Sequence, residues 1–188
     1  MKKIIKLNFI VLFLSFASIS LFSQAPSYTD WEWDAIRIGY SNVNGLSNSD
    51  SGFTFAMGVR FNVKDKLSIG YTQGFSGYVS NIISDDFDFD FITNNSLNVD
   101  KYFSSSSAKR AFVGLGVGYN TQTRTVIRDE EGEQIGRTER SVGISPRLGY
   151  ELGHVRIMAD YNYTLNENMG NSLNLTMAAT LWGGYQKK

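Results

Sequence analysis

The sequence contains no cysteine, so neither a disulfide framework nor a thiolate metal site is open to it. It has a single histidine, His154, which excludes a multi-histidine transition-metal centre. Prolines number only two, and the 18 basic residues balance 18 acidic ones, so no charge excess points to a nucleic-acid partner. Long apolar runs are missing too, apart from residues 7–22. What is abundant is glycine and aromatic residues, with 18 Gly, 13 Phe, 10 Tyr and three Trp. That composition favours strands over helices.

The one long apolar run follows Lys2, Lys3 and Lys6 and ends at the small and polar pair Ser23 and Gln24. This arrangement predicts a secretory signal peptide over 1–23, since a spanning helix needs about 17 to 25 apolar residues and this run is near the short end. Its removal leaves about 165 residues, enough for one domain, with a net charge of about −3.

The stretch 110–120, Arg-Ala-Phe-Val-Gly-Leu-Gly-Val-Gly-Tyr-Asn, sets the pattern for the rest. Strand side chains alternate with a period of two, so Val113, Leu115, Val117 and Tyr119 share one face. Phe112, Gly114, Gly116, Gly118 and Asn120 share the other. A face nearly bare of side chains suits a crowded barrel interior, and a bulky apolar face suits lipid. The strand over 53–63 repeats the theme, with Phe53, Phe55, Met57, Val59, Phe61 and Val63 opposite Thr54, Ala56, Gly58, Arg60 and Asn62. Its length matches the ~9 to 11 residues of a tilted membrane strand.

Further strands are expected over 35–40, from 67, over about 89–103, 142–152 and 155–163, and from 172 to about 185. The total is eight. Connections 41–51, 77–88, 121–140 and 165–171 are long, whereas 64–66, 104–109 and 153–154 are short. Short turns at one end and long loops at the other characterise up-and-down barrels of the bacterial outer membrane. The expected fold is therefore all-β, an eight-stranded antiparallel up-and-down transmembrane β-barrel over 34–185, with a periplasmic lead over 24–33 and a tail over 186–188. A soluble lipocalin-like barrel, with apolar residues inward around a ligand and polar ones outward, is the competing fold, but here Gly, Ser, Asn, Arg and Glu share the sparse face, and the opposite face turned to water would be a large exposed apolar belt.

Aromatics gather near the expected strand ends, Trp31, Trp33, Tyr102, Phe103 and Tyr185 on the periplasmic side and Tyr40, Phe53, Tyr119 and Tyr163 on the outer side, as interfacial girdles do. Charges fall on the inward face. If Gly153-His154 is a two-residue turn, Glu151 lies opposite Arg156 and Arg147 opposite Asp160. Arg60 counts across to Gly70, and Arg37 and Asp100 face inward as well. These seven residues form a candidate polar network in the lumen. An ion pathway or a catalytic carboxylate is one reading of it. A side-chain plug is the other, favoured because eight strands enclose little more than their own side chains and buried charges persist chiefly when paired.

Other motifs carry less. Gly114, Gly116 and Gly118 lack the third glycine of a dinucleotide fingerprint, because Tyr119 stands in its place. The run from Ser84 to Asp90 is a loop that could offer carboxylates to calcium, or a solvated strand edge. The acidic tip at 129–133 reads as solvated surface. No catalytic residue, metal ligand or cofactor is assigned.

The sequence resembles the small eight-stranded outer-membrane barrels of the OmpA and OmpX type. The carriers are Gly114-Leu115-Gly116-Val117-Gly118-Tyr119, the run from Ile144 to Glu151, and Tyr161-Asn162-Tyr163. It departs from them in ending on Lys187-Lys188 rather than on an aromatic residue. The resemblance implies a non-enzymatic protein of the bacterial outer membrane, with outer-membrane lipid and outer-membrane or periplasmic proteins as partners. An accessory subunit of an outer-membrane secretion or assembly complex, and a small pore, are the alternatives.

Overall fold

The computed structural model describes residues 31–44, 50–64, 66–80, 86–104, 109–128 and 134–182. The expected signal peptide over 1–23, most of the expected lead, the acidic tip at 129–133, Ser84-Asp85, Tyr185 and the expected tail lie outside the described residues. The eight strands are β1 (Trp31–Asn44), β2 (Asp50–Lys64), β3 (Leu67–Ser80), β4 (Asp86–Tyr102), β5 (Lys109–Arg128), β6 (Gln134–Leu152), β7 (Val155–Thr164) and β8 (Asn171–Trp182). They form one closed antiparallel barrel in chain order, β8 pairing back to β1.

Closure is staggered. A ladder followed from Ser141 through Asn120, Asn94, Gly74, Ala56, Arg37, Ala178 and Arg156 returns to β6 at Glu151, ten residues from its start. Such a shift tilts the strands into the ~35–45° range of closed barrels. Gly153 takes the φ of 62° that the tight β6–β7 turn needs. Pro146, which has no N–H, sits where the β6–β7 ladder breaks between Ile144↔Tyr163 and Arg147↔Asp160.

Alternation decides the faces. On β2 the residues from Phe53 to Val63 expose their odd-numbered apolar side chains and bury Thr54, Ala56, Arg60 and Asn62. The same holds on β6, β7 and β8, giving a continuous outward belt that includes Leu148, Ile157, Leu175 and Leu181. Each such side chain would cost roughly 1.5–3 kcal/mol to keep in water rather than hydrocarbon. Trp31, Trp33 and Phe103 rim the belt at the end of the short turns, and Tyr40, Phe53, Tyr119 and Tyr163 rim it at the other, all exposed.

Three expectations change. The strands run further than expected, because β4, β5 and β6 continue above the belt as a ribbon, from Thr121↔Arg140 to Ile127↔Gln134 and from Ile92↔Gln122 to Asp86↔Arg128. There β5 and β6 read Thr-Gln-Thr-Arg over 121–124 and Gly-Arg-Thr-Glu-Arg over 136–140, without an apolar residue at every second position, while Asp90, Ile92 and Gln122 are buried at the ribbon's base. Asp86 to Asp90 accordingly belong to a strand rather than to a loop. Next, β1 begins at Trp31, and between Asp34 and Arg37 two of its residues, Ala35 and Ile36, stand against one on β2, Met57. This bulge reverses the phase and sends Glu32 and Asp34 inward. Finally, Tyr102 is not part of the periplasmic girdle: it is buried against Phe112 and Met158, forming an apolar floor to the lumen.

Candidate functional site

The floor residues Tyr102, Phe112 and Met158 support a cluster of charges drawn from six strands. β1 contributes Glu32, Asp34 and Arg37, β2 Arg60, β4 Asp100, β5 Arg110, β6 Arg147 and Glu151, and β7 Arg156 and Asp160. The five arginines are matched by five carboxylates, so the cluster is neutral as a whole. Nine of the ten side chains are buried, and Asp160 is half-buried where the cluster meets a cavity above it.

Arg60 is the hub. Its Nη1 donates to Tyr102 Oη at 2.6 Å and to Glu151 Oε1, while its Nη2 reaches Asp34 Oδ1 at 3.1 Å and Glu32 Oε2. Arg110 donates from Nε to Glu151 Oε2 at 2.6 Å and lies over the Tyr102 ring at 3.6 Å. Asp100 receives a two-pronged contact from Arg147, Nε at 2.7 Å and Nη2 at 2.6 Å, and a further bond from Arg156 Nη2. Arg156 stacks over Phe112 at 3.8 Å and lies 3.7 Å from Glu151 and 3.8 Å from Asp34. Arg37 meets Asp34 at 3.5 Å. Planar guanidinium forks suit this role because each can serve several carboxylates and stack on a ring at once.

The seven residues singled out from the sequence all lie in this interior region. The register places Glu151 opposite Arg156, Arg147 opposite Asp160 and Arg60 opposite Gly70. Contact does not follow register throughout. Arg147 crosses the lumen to Asp100, while Asp160 accepts from Asn174 Nδ2 at 2.9 Å. A Cβ on Gly114 would collide with the Asp100 carboxylate, so the bare glycine face is what makes room for this bridge. Four participants escape a simple reading of the sequence: Glu32 and Asp34, displaced by the bulge, Arg110 at the first turn of its strand, and Tyr102. The alternation Trp31-Glu32-Trp33-Asp34, with two aromatics to face lipid, is the signal that marks the first two.

Above the charges lies a polar cavity of about 60 Å³, lined among others by Arg37, Asn98, Arg147, Asp160, Asn174 and Thr176. At ~10–15 Å³ per water it holds about four to six molecules. Tyr78, Val43 and Ile92 cover its outer side as a second apolar cluster, and Ser41 bonds both Tyr78 and Asn174 there. The chemistry on offer is electrostatic and structural. The carboxylates are engaged by guanidinium or amide donors, and among the described residues no group of three or more His, Asp and Glu is placed to hold a metal ion.

No protein-family profile matches the sequence. No curated protein matches it either. Solved structures do. The chain is similar to Neisserial surface protein A (NspA), with a TM-score of 0.56 at 14% identity, covering 85% of this chain and 99% of that one. It is similar as well to Ail, the attachment invasion locus protein of Yersinia pestis, with a TM-score of 0.51 at 15% identity, covering 81% and 100% respectively. Matched over nearly the full length of both relatives, the chain has the closed eight-stranded transmembrane barrel fold of the small outer-membrane proteins.

Proposed function

We propose that the protein is a non-enzymatic, integral component of the bacterial outer membrane whose lumen is a side-chain plug and whose β4–β6 ribbon is presented at the cell surface. The observation that carries this reading is the neutral ten-residue cluster resting on an apolar floor. Each guanidinium there is committed to a carboxylate, so a migrating ion would have to break several buried pairs at once. The outward belt supports placement in lipid, and the ribbon, standing beyond the tyrosine girdle, supports a structural or surface-interaction role.

Planar-bilayer recording of the purified barrel tests the plug against a pore. A membrane that stays silent at ordinary voltages agrees with it. Sustained unitary conductance from the wild-type chain would favour the pore and refute the plug.

A further inference from the structure

The belt is apolar except at one seam. Gln73 of β3 stands exposed on the outward face, with Ile69 and Tyr71 below it and Phe75 above it on the same strand. It lies seven residues above the turn residue Lys66. At ~3.3 Å per residue and a tilt of ~40° that is about 18 Å from the turn, within the outer third of a belt about 25 Å tall. Its register partner on β4 is Asn95, whose Oδ1 accepts from Tyr71 Oη at 2.8 Å. Gln73 itself has no side-chain hydrogen bond to any described residue. Among the described outward-facing residues between the girdles, amide side chains are confined to this pair. Hydrocarbon satisfies neither the donor nor the acceptor of an amide, and leaving both unmade in lipid is costly.

We infer that the β3–β4 seam is where a second copy of this chain docks within the membrane, the Gln73 amide of each copy bonding that of the other. Three considerations select this occupant. A two-fold axis along the membrane normal carries every residue to its own depth, so a Gln73 beside that axis faces the partner's amide at the same level. An amide carries one acceptor and one donor group, so two of them form a reciprocal pair. Met57, opposite Gln73 on β2, and Phe75 supply adaptable and aromatic packing around it. The inference rests on the membrane placement proposed above.

Because the chain has no cysteine, Met57→Cys introduces a single lipid-facing thiol beside an intact Gln73. Isolated outer membranes carrying this variant are treated with a short bismaleimide, with Leu175→Cys on the far side of the barrel as control. A covalent dimer at position 57, absent at 175 and reduced at least several-fold by adding Gln73→Leu, is the expected result. The heat-modified gel mobility that reports a folded barrel should be unchanged. Equal cross-linking at both positions, or none at position 57 in a folded, membrane-resident protein, overturns the dimer while leaving the membrane reading intact. A cross-link from position 57 to a different protein overturns the second copy as the occupant. Recovery of the wild-type chain in the soluble fraction overturns both readings.

Discussion

Asp100 and Arg147 offer the sharpest test of the lumen chemistry. Replacing Asp100 by Asn preserves shape but removes the charge that faces two guanidinium groups. The Arg147 fork loses two charge-assisted bonds of 2.7 and 2.6 Å, and Arg156 loses a third. At roughly 1.5–3 kcal/mol for each hydrogen bond to a charged group, and with an amide oxygen still able to accept one, the loss is about 3–5 kcal/mol. Arg147→Met should cost about 3 kcal/mol, somewhat less, because Asp100 keeps Arg156. The double variant should cost about 2 kcal/mol less than the sum, since neither group then remains buried opposite an absent partner. Asp160→Arg, by contrast, should not rescue Arg147→Glu, although the register sets 147 and 160 side by side, because the carboxylate that Arg147 contacts is on β4. Urea unfolding of the barrel in detergent or lipid vesicles, followed by tryptophan fluorescence, measures all of these. Single variants within about 0.5 kcal/mol of wild type, or strictly additive ones, would refute the reasoning.

Other expectations follow from geometry elsewhere in the barrel. Met177→Arg places a charge on the lipid face near mid-belt and should destabilise the inserted barrel by about 2–4 kcal/mol, read from the same unfolding transition. Gly114→Val drives a branched side chain into the Asp100 carboxylate and the Val99 carbonyl, and should cost about 1–3 kcal/mol or block folding, seen as loss of the heat-modifiable gel form. Gly153→Ala forces a Cβ onto a φ of 62° in the β6–β7 turn, and should lower stability by about 1–2 kcal/mol with no effect on conductance.

Much of the barrel is legible in the sequence because lipid and lumen impose opposite demands on alternate residues. Phe53 to Val63 and Val142 to Leu152 disclose their strands, their faces and, through Gly153-His154, the register that sets Glu151 against Arg156. Legibility ends where that contrast does. In the ribbon, 121–124 and 136–140 carry polar residues at successive rather than alternate positions, so a strand there resembles a loop. A single inserted residue between Asp34 and Arg37 is invisible to a period-two count, yet it decides that Glu32 and Asp34 point inward. Register also limits what can be known of contact. An arginine side chain spans the lumen of a narrow barrel, so Arg147 reaches Asp100 across the interior, and Arg60 gathers partners from β1, β4 and β6. Tyr102 is ambiguous for a related reason. A tyrosine near a strand end serves equally as an interfacial anchor or as a buried donor, and only the register with Phe112 tells which.

The central claim is that the apolar face of this barrel meets lipid and the charged face meets its own interior. Single cysteines placed in turn from 171 to 182 on β8, each carrying a nitroxide label in reconstituted vesicles, test it directly through collision with oxygen, which concentrates in lipid, and with a polar nickel chelate. The account predicts a period of two, with Leu173, Leu175, Met177 and Ala179 open to oxygen and Ser172, Asn174, Thr176 and Ala178 shielded from it. Absence of alternation, or the opposite phase with the odd-numbered positions facing the chelate, would contradict it.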